Sequence, residues 1–285
     1  MSHREPDYNK DNKMVVRNDY VKAIHPDRMS VNAMKLFRLA ITQCKFEDQE
    51  LYEYKFKITD LAESFHIDSS NMYKETQAMC VSMMQMVLLY GGDSAFKSWS
   101  MRHIFERCDY EEGSGIITIK LHPEMTDLLL RLKRDFTQIP IASVLMMRSK
   151  YAIRLFELLC EKMRNCLPFA DTATEVILKL EEIRKVTGTD KKKAYNKTSN
   201  LKNKVVLPAL REIEETAGWK ILRYDLKKGR AVIGFRLEVW SRNGWEYMEE
   251  CKAKGIIPNR GNREYESQIP GQMSIFDFVK GGEGT

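Results

Sequence analysis

The stretch Lys191-Lys192-Lys193-Ala194-Tyr195-Asn196-Lys197-Thr198-Ser199-Asn200-Leu201-Lys202-Asn203-Lys204 holds six lysines and no acid. It opens a segment of helical periodicity, a long helix from about Tyr195 to Thr216 with Val206, Ala209, Leu210 and Ile213 on one face. Two strands follow, Trp219 to Leu226 and Ala231 to Trp240, joined at Lys227-Lys228-Gly229-Arg230, with Ile233, Phe235, Leu237 and Val239 on the inner side. Upstream, Leu180 and Ile183 mark a short helix that ends near Gly188. Short helix, long helix and hairpin together outline a winged helix, with the basic run at the start of the helix that would enter a DNA groove.

The same order of elements is legible earlier in the chain. Ser30 can cap a helix carrying Met34, Phe37 and Ile41, and Leu51 to Ile58 alternates as a half-buried strand. Thr59 then caps a short helix with Leu61, Ala62 and Phe65, and after the turn His66 to Asp68 a second helix runs from about Ser69 to Met84. Met72, Met79, Cys80 and Met83 face inward on it. Strand candidates are Met86 to Tyr90 with Trp99 to Arg107, then Gly115 to Leu121. Met14 to Ala23 reads as a first strand, and His122-Pro123 starts a helix through Lys133. The fold class is α+β, helix-rich, with two tandem winged-helix domains that share architecture and no detectable sequence identity.

The chain divides into a flexible N-terminal arm over 1–13, a first winged helix over 14–134 and a second over 135–245, with Asp135 to Pro140 as the linker. A C-terminal helix and polar tail occupy 246–285. A length of 285 residues suits two cores of ordinary size, and 43% hydrophobic with 30% charged residues is a soluble globular balance. No stretch approaches a membrane span and the N-terminus lacks an apolar leader, so a cytoplasmic protein with no membrane partner is expected. Six scattered cysteines form no CxxC pair and read as reduced thiols.

A net charge of +6 hints at a polyanionic partner, and its placement says more than its sum. A helix N-terminus offers free N–H groups and a positive dipole end to phosphate, and lysines there release counterions. Candidate DNA contacts in the second domain are therefore Lys191, Lys192, Lys193, Tyr195, Asn196, Lys197, Ser199, Asn200, Lys202, Asn203 and Lys204 on the helix. Lys227, Lys228 and Arg230 would grip the backbone from the wing. In the first domain the equivalent helix start offers Ser69, Ser70, Asn71 and Lys74, beside a hairpin loop with Asp109, Glu111 and Glu112 that phosphates would repel. That domain is expected to serve protein contacts first and DNA second.

Leu201-Lys202-x-x-Val205-Val206-Leu207-Pro208-Ala209-Leu210-x-Glu212-Ile213, preceded by Lys193-x-Tyr195, resembles the second-domain signature of the iteron-binding plasmid replication initiators of theta type. Ser149-x-Tyr151-Ala152-x-x-Leu155-Phe156-Glu157-Leu158-Leu159 and Gly229-Arg230-x-Val232-x-Gly234-Phe235 are similar to the same family, a likeness running from about Val15 to Val239. The resemblance implies tandem winged helices that bind double-stranded DNA, as monomers on direct repeats and as dimers through the first domain on an inverted-repeat operator. It also implies promoter autorepression, copy control and recruitment of host helicase and host initiator. The acidic first wing departs from the pattern. In the tail, Gln272-Met273-Ser274-Ile275-Phe276 resembles the bacterial sliding-clamp-binding pentapeptide, its apolar side chains lying in a polar segment with no core of its own.

Enzymatic activity, cofactors and metals are not expected. There is no GxxxxGK[ST] loop, and His3, His25, His66, His103 and His122 are never two or four apart, which removes the usual metal-assisted nicking signature. The rival reading is a winged-helix transcriptional repressor without a replication role. Pro208 inside the long helix is expected to bend it around its own core.

Overall fold

In the computed structural model, which describes residues 3–4, 6–9, 11–23, 29–91, 98–111, 113–163 and 173–254, each half is a winged helix. The first half runs β1 (His3–Arg4), β2 (Lys13–Arg17), α1 (Asn18–Lys22), α2 (Val31–Thr42), β3 (Glu53–Lys57), α3 (Ile58–Phe65) and α4 (Ser69–Met84). It continues through β4 (Val87–Gly91), β5 (Trp99–His103), β6 (Phe105–Glu111), β7 (Ile116–Leu121) and α5 (Thr126–Leu129). The second half runs β8 (Phe136–Pro140), α6 (Ile141–Met146), α7 (Lys150–Lys162), β9 (Thr174–Lys179), α8 (Leu180–Thr187), α9 (Thr198–Leu201), α10 (Leu207–Ala217), β10 (Trp219–Lys228), β11 (Ala231–Ser241) and α11 (Arg242–Ala253).

The two halves repeat one topology. In the first, the strand ahead of the short helix (β3) pairs with the returning wing strand (β7), which pairs with the outgoing one (β6). In the second, β9, β11 and β10 stand in that same order, all antiparallel. Period-2 alternation sets the faces: Tyr54, Phe56, Ile117, Ile119 and Leu121 are buried in one sheet, and Val176, Leu178, Phe235, Leu237 and Val239 in the other. Cooperating local signals start the helices, since the Ser30 hydroxyl accepts from the Ala33 N–H at 3.1 Å and Ser149 caps α7 in the same way.

Several sequence expectations change in three dimensions. Met14 to Ala23 is strand only to Arg17. There the Asn18 N–H reaches the Asp135 carbonyl at 2.8 Å, and the chain coils into α1 to bury Tyr20 and Val21. Thr59 does not cap α3, which starts at Ile58, whose N–H donates to the Gly115 carbonyl at 2.8 Å. Trp99 to Arg107 is not one strand. The buried Ile104 breaks it, so β5 pairs with β4 in a separate hairpin and β6 pairs with β7. The helix after Pro123 stops at Leu129, because Arg131 takes a left-handed turn (φ 52°) that brings its guanidinium to the Asp48 and Gln49 carbonyls. Ile233 is 48% exposed, since the β10–β11 ribbon has left the body at that point. Strand β9 and helix α6 have no counterpart in the sequence reading.

Two further differences concern the joints between segments. The linker expected at Asp135 to Pro140 is largely β8, paired antiparallel along its whole length with β2, so the chain between the halves is held by a strand from the start of the first half. The arm expected to be flexible is docked where it is described. Asp7 and Gln43 exchange two hydrogen bonds (2.6 and 3.1 Å), the Tyr8 ring packs edge-on against Phe56, and β1 pairs with β3.

One continuous hydrophobic core joins the halves, and α2 and α7 each bury much of their length in it. Phe156 of α7 packs on Trp219 with ring centroids 5.1 Å apart, a burial that contributes about 1.5–3 kcal/mol. Amid this apolar packing lies a charged triad. Arg38 of α2 donates through Nε to Glu157 Oε1 at 2.8 Å, and Arg154 donates to the other carboxylate oxygen. Arg154 also reaches the carbonyls of Val21, Ala23 and Val186 at 2.9, 3.1 and 3.2 Å. Burial pushes the Glu157 carboxyl up, but the two guanidiniums outweigh it and hold it below the usual carboxylate range.

Replacing Glu157 with Gln leaves two buried guanidiniums without their counter-charge, so urea unfolding of Glu157→Gln should show a loss of about 3–5 kcal/mol. Lys35 of α2 gives a second test. Burial, opposed by Glu212 and reinforced by Arg148, pushes its ammonium down to about 8 from 10.5. The unfolded chain then holds more protons between those values, so this group makes stability rise with pH across that window and imposes its full cost below it. Lys35→Met is therefore expected to be more stable than the wild type at pH 7, with the difference shrinking as pH rises from about 8 to about 10. A constant difference across that range would disprove the assignment.

Candidate nucleic-acid interface

The basic run is presented by a turn, a helix start and a wide helical segment rather than by one uniform helix. Lys193–Tyr195 form a single 3-10 turn, α9 begins at Thr198, and Lys202–Val206 widen to π geometry before α10 continues. The wide segment ends just before Pro208, whose ring nitrogen has no hydrogen to give to the carbonyl one turn back. A π-turn thus stands next to the position where a bend is expected. Leu201, Val205 and Val206 are buried and anchor this region from within.

Outside that anchor, Lys191, Lys193, Asn196, Lys197, Ser199, Asn203 and Lys204 are exposed. The remaining candidates are half-buried and serve the local structure. Asn200 donates its amide to the Ala194 carbonyl at 2.9 Å, stapling the turn to the helix. Tyr195 packs edge-on against Tyr151, with centroids 6.3 Å apart, and a hydrogen bond between the two hydroxyls raises its pKa. Lys192 lies over the Tyr151 ring. Arg184 of α8 donates to the Tyr195 and Asn196 carbonyls, the latter at 3.2 Å. Sequence reasoning missed Arg184 and Tyr151 in this role, although Tyr151 lies inside the Ser149-to-Leu159 motif.

The wing is the two-stranded end of β10–β11. Lys227, Lys228 and Arg230 are exposed there, and Gly229 takes φ 61° at the tip, a conformation that glycine adopts without steric cost. Gly234 sits at the root, where a Cβ would come 2.5 Å from the Leu178 carbonyl oxygen, so only glycine lets β11 approach β9. Lys202 of the helix is bonded to Asp225 of β10 at 2.6 Å, which ties the helix to the wing. The two basic groups therefore belong to one assembly with a shared base.

The corresponding surface of the first half differs in charge. Ser69, Ser70, Asn71 and Lys74 are exposed at the start of α4, as the sequence suggests. However, Asp68 caps that helix, accepting from the Ser70 and Asn71 N–H groups at 2.9 and 3.4 Å. The Ser70 hydroxyl and these amides hold its carboxyl below the usual range, so a negative charge occupies the place a phosphate would take. No side chain caps α9. Asp109 and Glu111 are exposed on the first wing, and Glu112 lies outside the described residues.

Residues 13–160 match the family described as "Initiator Replication protein, WH1", and residues 179–239 match "Initiator Rep protein, WH2". The chain belongs to the replication initiator protein family. The WH1 match includes β8, α6 and most of α7, and the WH2 match contains the basic helix and wing. The crystal structure of Pi initiator protein in complex with iteron DNA aligns with this initiator at a TM-score of 0.65 and 16% identity, over 81% of this chain and 98% of that one. A crystal structure of domains 2 and 3 of RctB gives 0.46 and 11% identity over 75% and 83%. No curated protein matches the sequence. Among the described residues, no helix of this initiator is long and apolar enough to cross a membrane, and no group of three His, Cys, Asp or Glu side chains could hold a metal ion. Gln272, Met273, Ser274, Ile275 and Phe276 lie outside the described residues, as do Cys166 and His25.

If Arg184 holds the turn as its bonds imply, Arg184→Ala should cost about 1 kcal/mol overall while amide exchange over 193–200 accelerates selectively. Uniform acceleration across WH2 would show that Arg184 supports the domain and not the turn.

Proposed function

We propose that this initiator starts replication of a plasmid by binding direct repeats, or iterons, at its origin through WH2. The basic helix start would enter the major groove and the wing would hold the adjacent backbone. The observation that carries this reading is the joining of two exposed basic groups, one on a helix start and one on a hairpin tip, through the Lys202–Asp225 ion pair. Asn196, Ser199 and Asn203 supply short polar groups that can reach base edges between the lysines. The Pi initiator shares the fold in a complex with iteron DNA, which supports the same choice of partner.

WH1 serves self-association first and DNA second in this scheme, since Asp68 and the acidic wing weaken its attraction for phosphate. Its dimer would bind an inverted-repeat operator and repress the initiator's own promoter. The chain acts by binding alone, without chemistry on DNA and without a cofactor. It works in the bacterial cytoplasm, where the plasmid and the host helicase and initiator that it recruits are found. The tail residues Gln272, Met273, Ser274, Ile275 and Phe276 offer the sliding clamp a short apolar anchor. A Phe276→Ala tail peptide that binds purified clamp as tightly as the unchanged peptide would remove that partner.

Binding measured against salt separates the roles of the exposed side chains. Lys204→Ala should weaken binding to every duplex and lower the slope of log K against log salt by about 0.9, the value for one lost phosphate contact. Asn203→Ala should relax sequence preference with little change on random DNA. Equal losses on preferred and random duplexes for Asn203→Ala would make it a positioning contact only.

A further inference from the structure

Asp225 places a carboxylate between the basic helix start and the basic wing, where charge alone would have it repel a phosphate backbone. Its contacts account for its presence. Lys202 Nζ lies 2.6 Å from Oδ2, and the Arg223 guanidinium is bonded to Oδ1. The three side chains are only 24%, 22% and 22% exposed for Lys202, Asp225 and Arg223, so water screens these contacts less than it would a surface pair. The Lys202 hydrogen bond first, and then the Arg223 charge against partial burial, holds the carboxyl below its usual range, so it is ionised at neutral pH. Arg223 is fixed in turn by lying over the buried Phe235 ring, 5.4 Å from its centroid.

The location matters as much as the bonds. Lys202 is the first residue of the wide helical segment, where the helix departs from regular geometry. Asp225 pairs with Phe235, which pairs with Leu178, so it stands in the three-stranded part of the sheet. One rung further, Leu226, Gly234 and Lys179 form the last three-stranded register, and the ribbon bulges between Leu226 and Lys227. Beyond that bulge the wing has no third strand to set its direction. Asp225 therefore grips the recognition helix at the root of the wing.

We propose that Asp225 is a positioning residue for sequence reading, clasping Lys202 of the recognition helix to the wing root and so fixing the angle at which helix and wing engage one DNA groove together. The proposal rests on the reading of this face as the DNA interface. It also reassigns Lys202, from a direct phosphate contact to the helix side of the clasp. Two effects of removing the carboxylate have opposite signs. Electrostatics alone tightens binding to any duplex, whereas a loosened wing lowers the advantage of the preferred sequence over others.

The test uses the full-length protein and a duplex selected by the wild type from a random pool, with a scrambled duplex of equal length as reference. Asp225→Asn is expected to keep or tighten binding to the scrambled duplex while its preference for the selected one falls about tenfold. Lys202→Met breaks the same contact from the helix side, guarding against a folding defect in the first variant. It should lose preference to a similar degree, and the double variant should be no worse than either single one. An Asp225→Asn protein that tightens on both duplexes with undiminished preference, or strictly additive losses in the double variant, would overturn the clasp and leave DNA binding intact. A wild-type chain that enriches no sequence would overturn the DNA-binding reading, and the clasp with it.

Discussion

The relative placement of the two winged helices depends on one buried carboxylate shared by two guanidiniums. Apolar packing in the continuous core draws the halves together, but it is non-directional and tolerates sliding. Glu157 does not tolerate it, because a shift of one helical turn would strand buried charges at a cost far above that of a lost methylene contact. Arg38 brings the first half's central helix to this carboxylate, and Arg154 extends from it to the carbonyls of Val21, Ala23 and Val186. Four segments thus meet in one satisfied polar network.

A second layer of constraint reinforces the first. β8 and β2 bring the beginning of the chain to the junction of the halves, and Glu212 of α10 accepts from the Arg148 and Ser149 N–H groups at the start of α7. Glu212 also supplies the charge that partly compensates the buried Lys35 of α2. The helix that presents the basic run is therefore tied through its own C-terminal half to the interface between domains. Any motion of WH1 against WH2 would have to break bonds that also hold the recognition helix.

What the sequence made legible were elements with strong local signals. The Lys227 to Arg230 tip, the α2 and α4 periodicities and the alternation of β3, β7 and, from Phe235 on, β11 stand where their patterns place them. The elements misread were those whose form depends on distant partners. β9 is six residues with only Val176 and Leu178 buried, too short a pattern to stand out without β11 beside it. β8 looked like a linker because its polar, proline-ended sequence gives no sign of β2, more than a hundred residues away. At the candidate site, residue types were readable but engagement was not, so Asn200 and Lys202 looked equivalent to Asn203 and Lys204. Only the fold shows that the first two hold the structure together.

The shared architecture leaves the two halves free to differ in charge. Both have the same order of three sheet strands and the same succession of long helix, strand, short helix, second helix and wing, with the β4–β5 hairpin added before the wing in the first half. The start of the recognition helix and the wing tip lie outside the core and are free to vary. In WH1 that freedom placed Asp68, Asp109 and Glu111 there, and in WH2 it placed an uncapped helix start and lysines. Long-range attraction between a duplex and this chain is then asymmetric. In the proposed scheme a polyanion would be steered toward the basic helix start and wing of WH2 rather than toward the acidic surface of WH1.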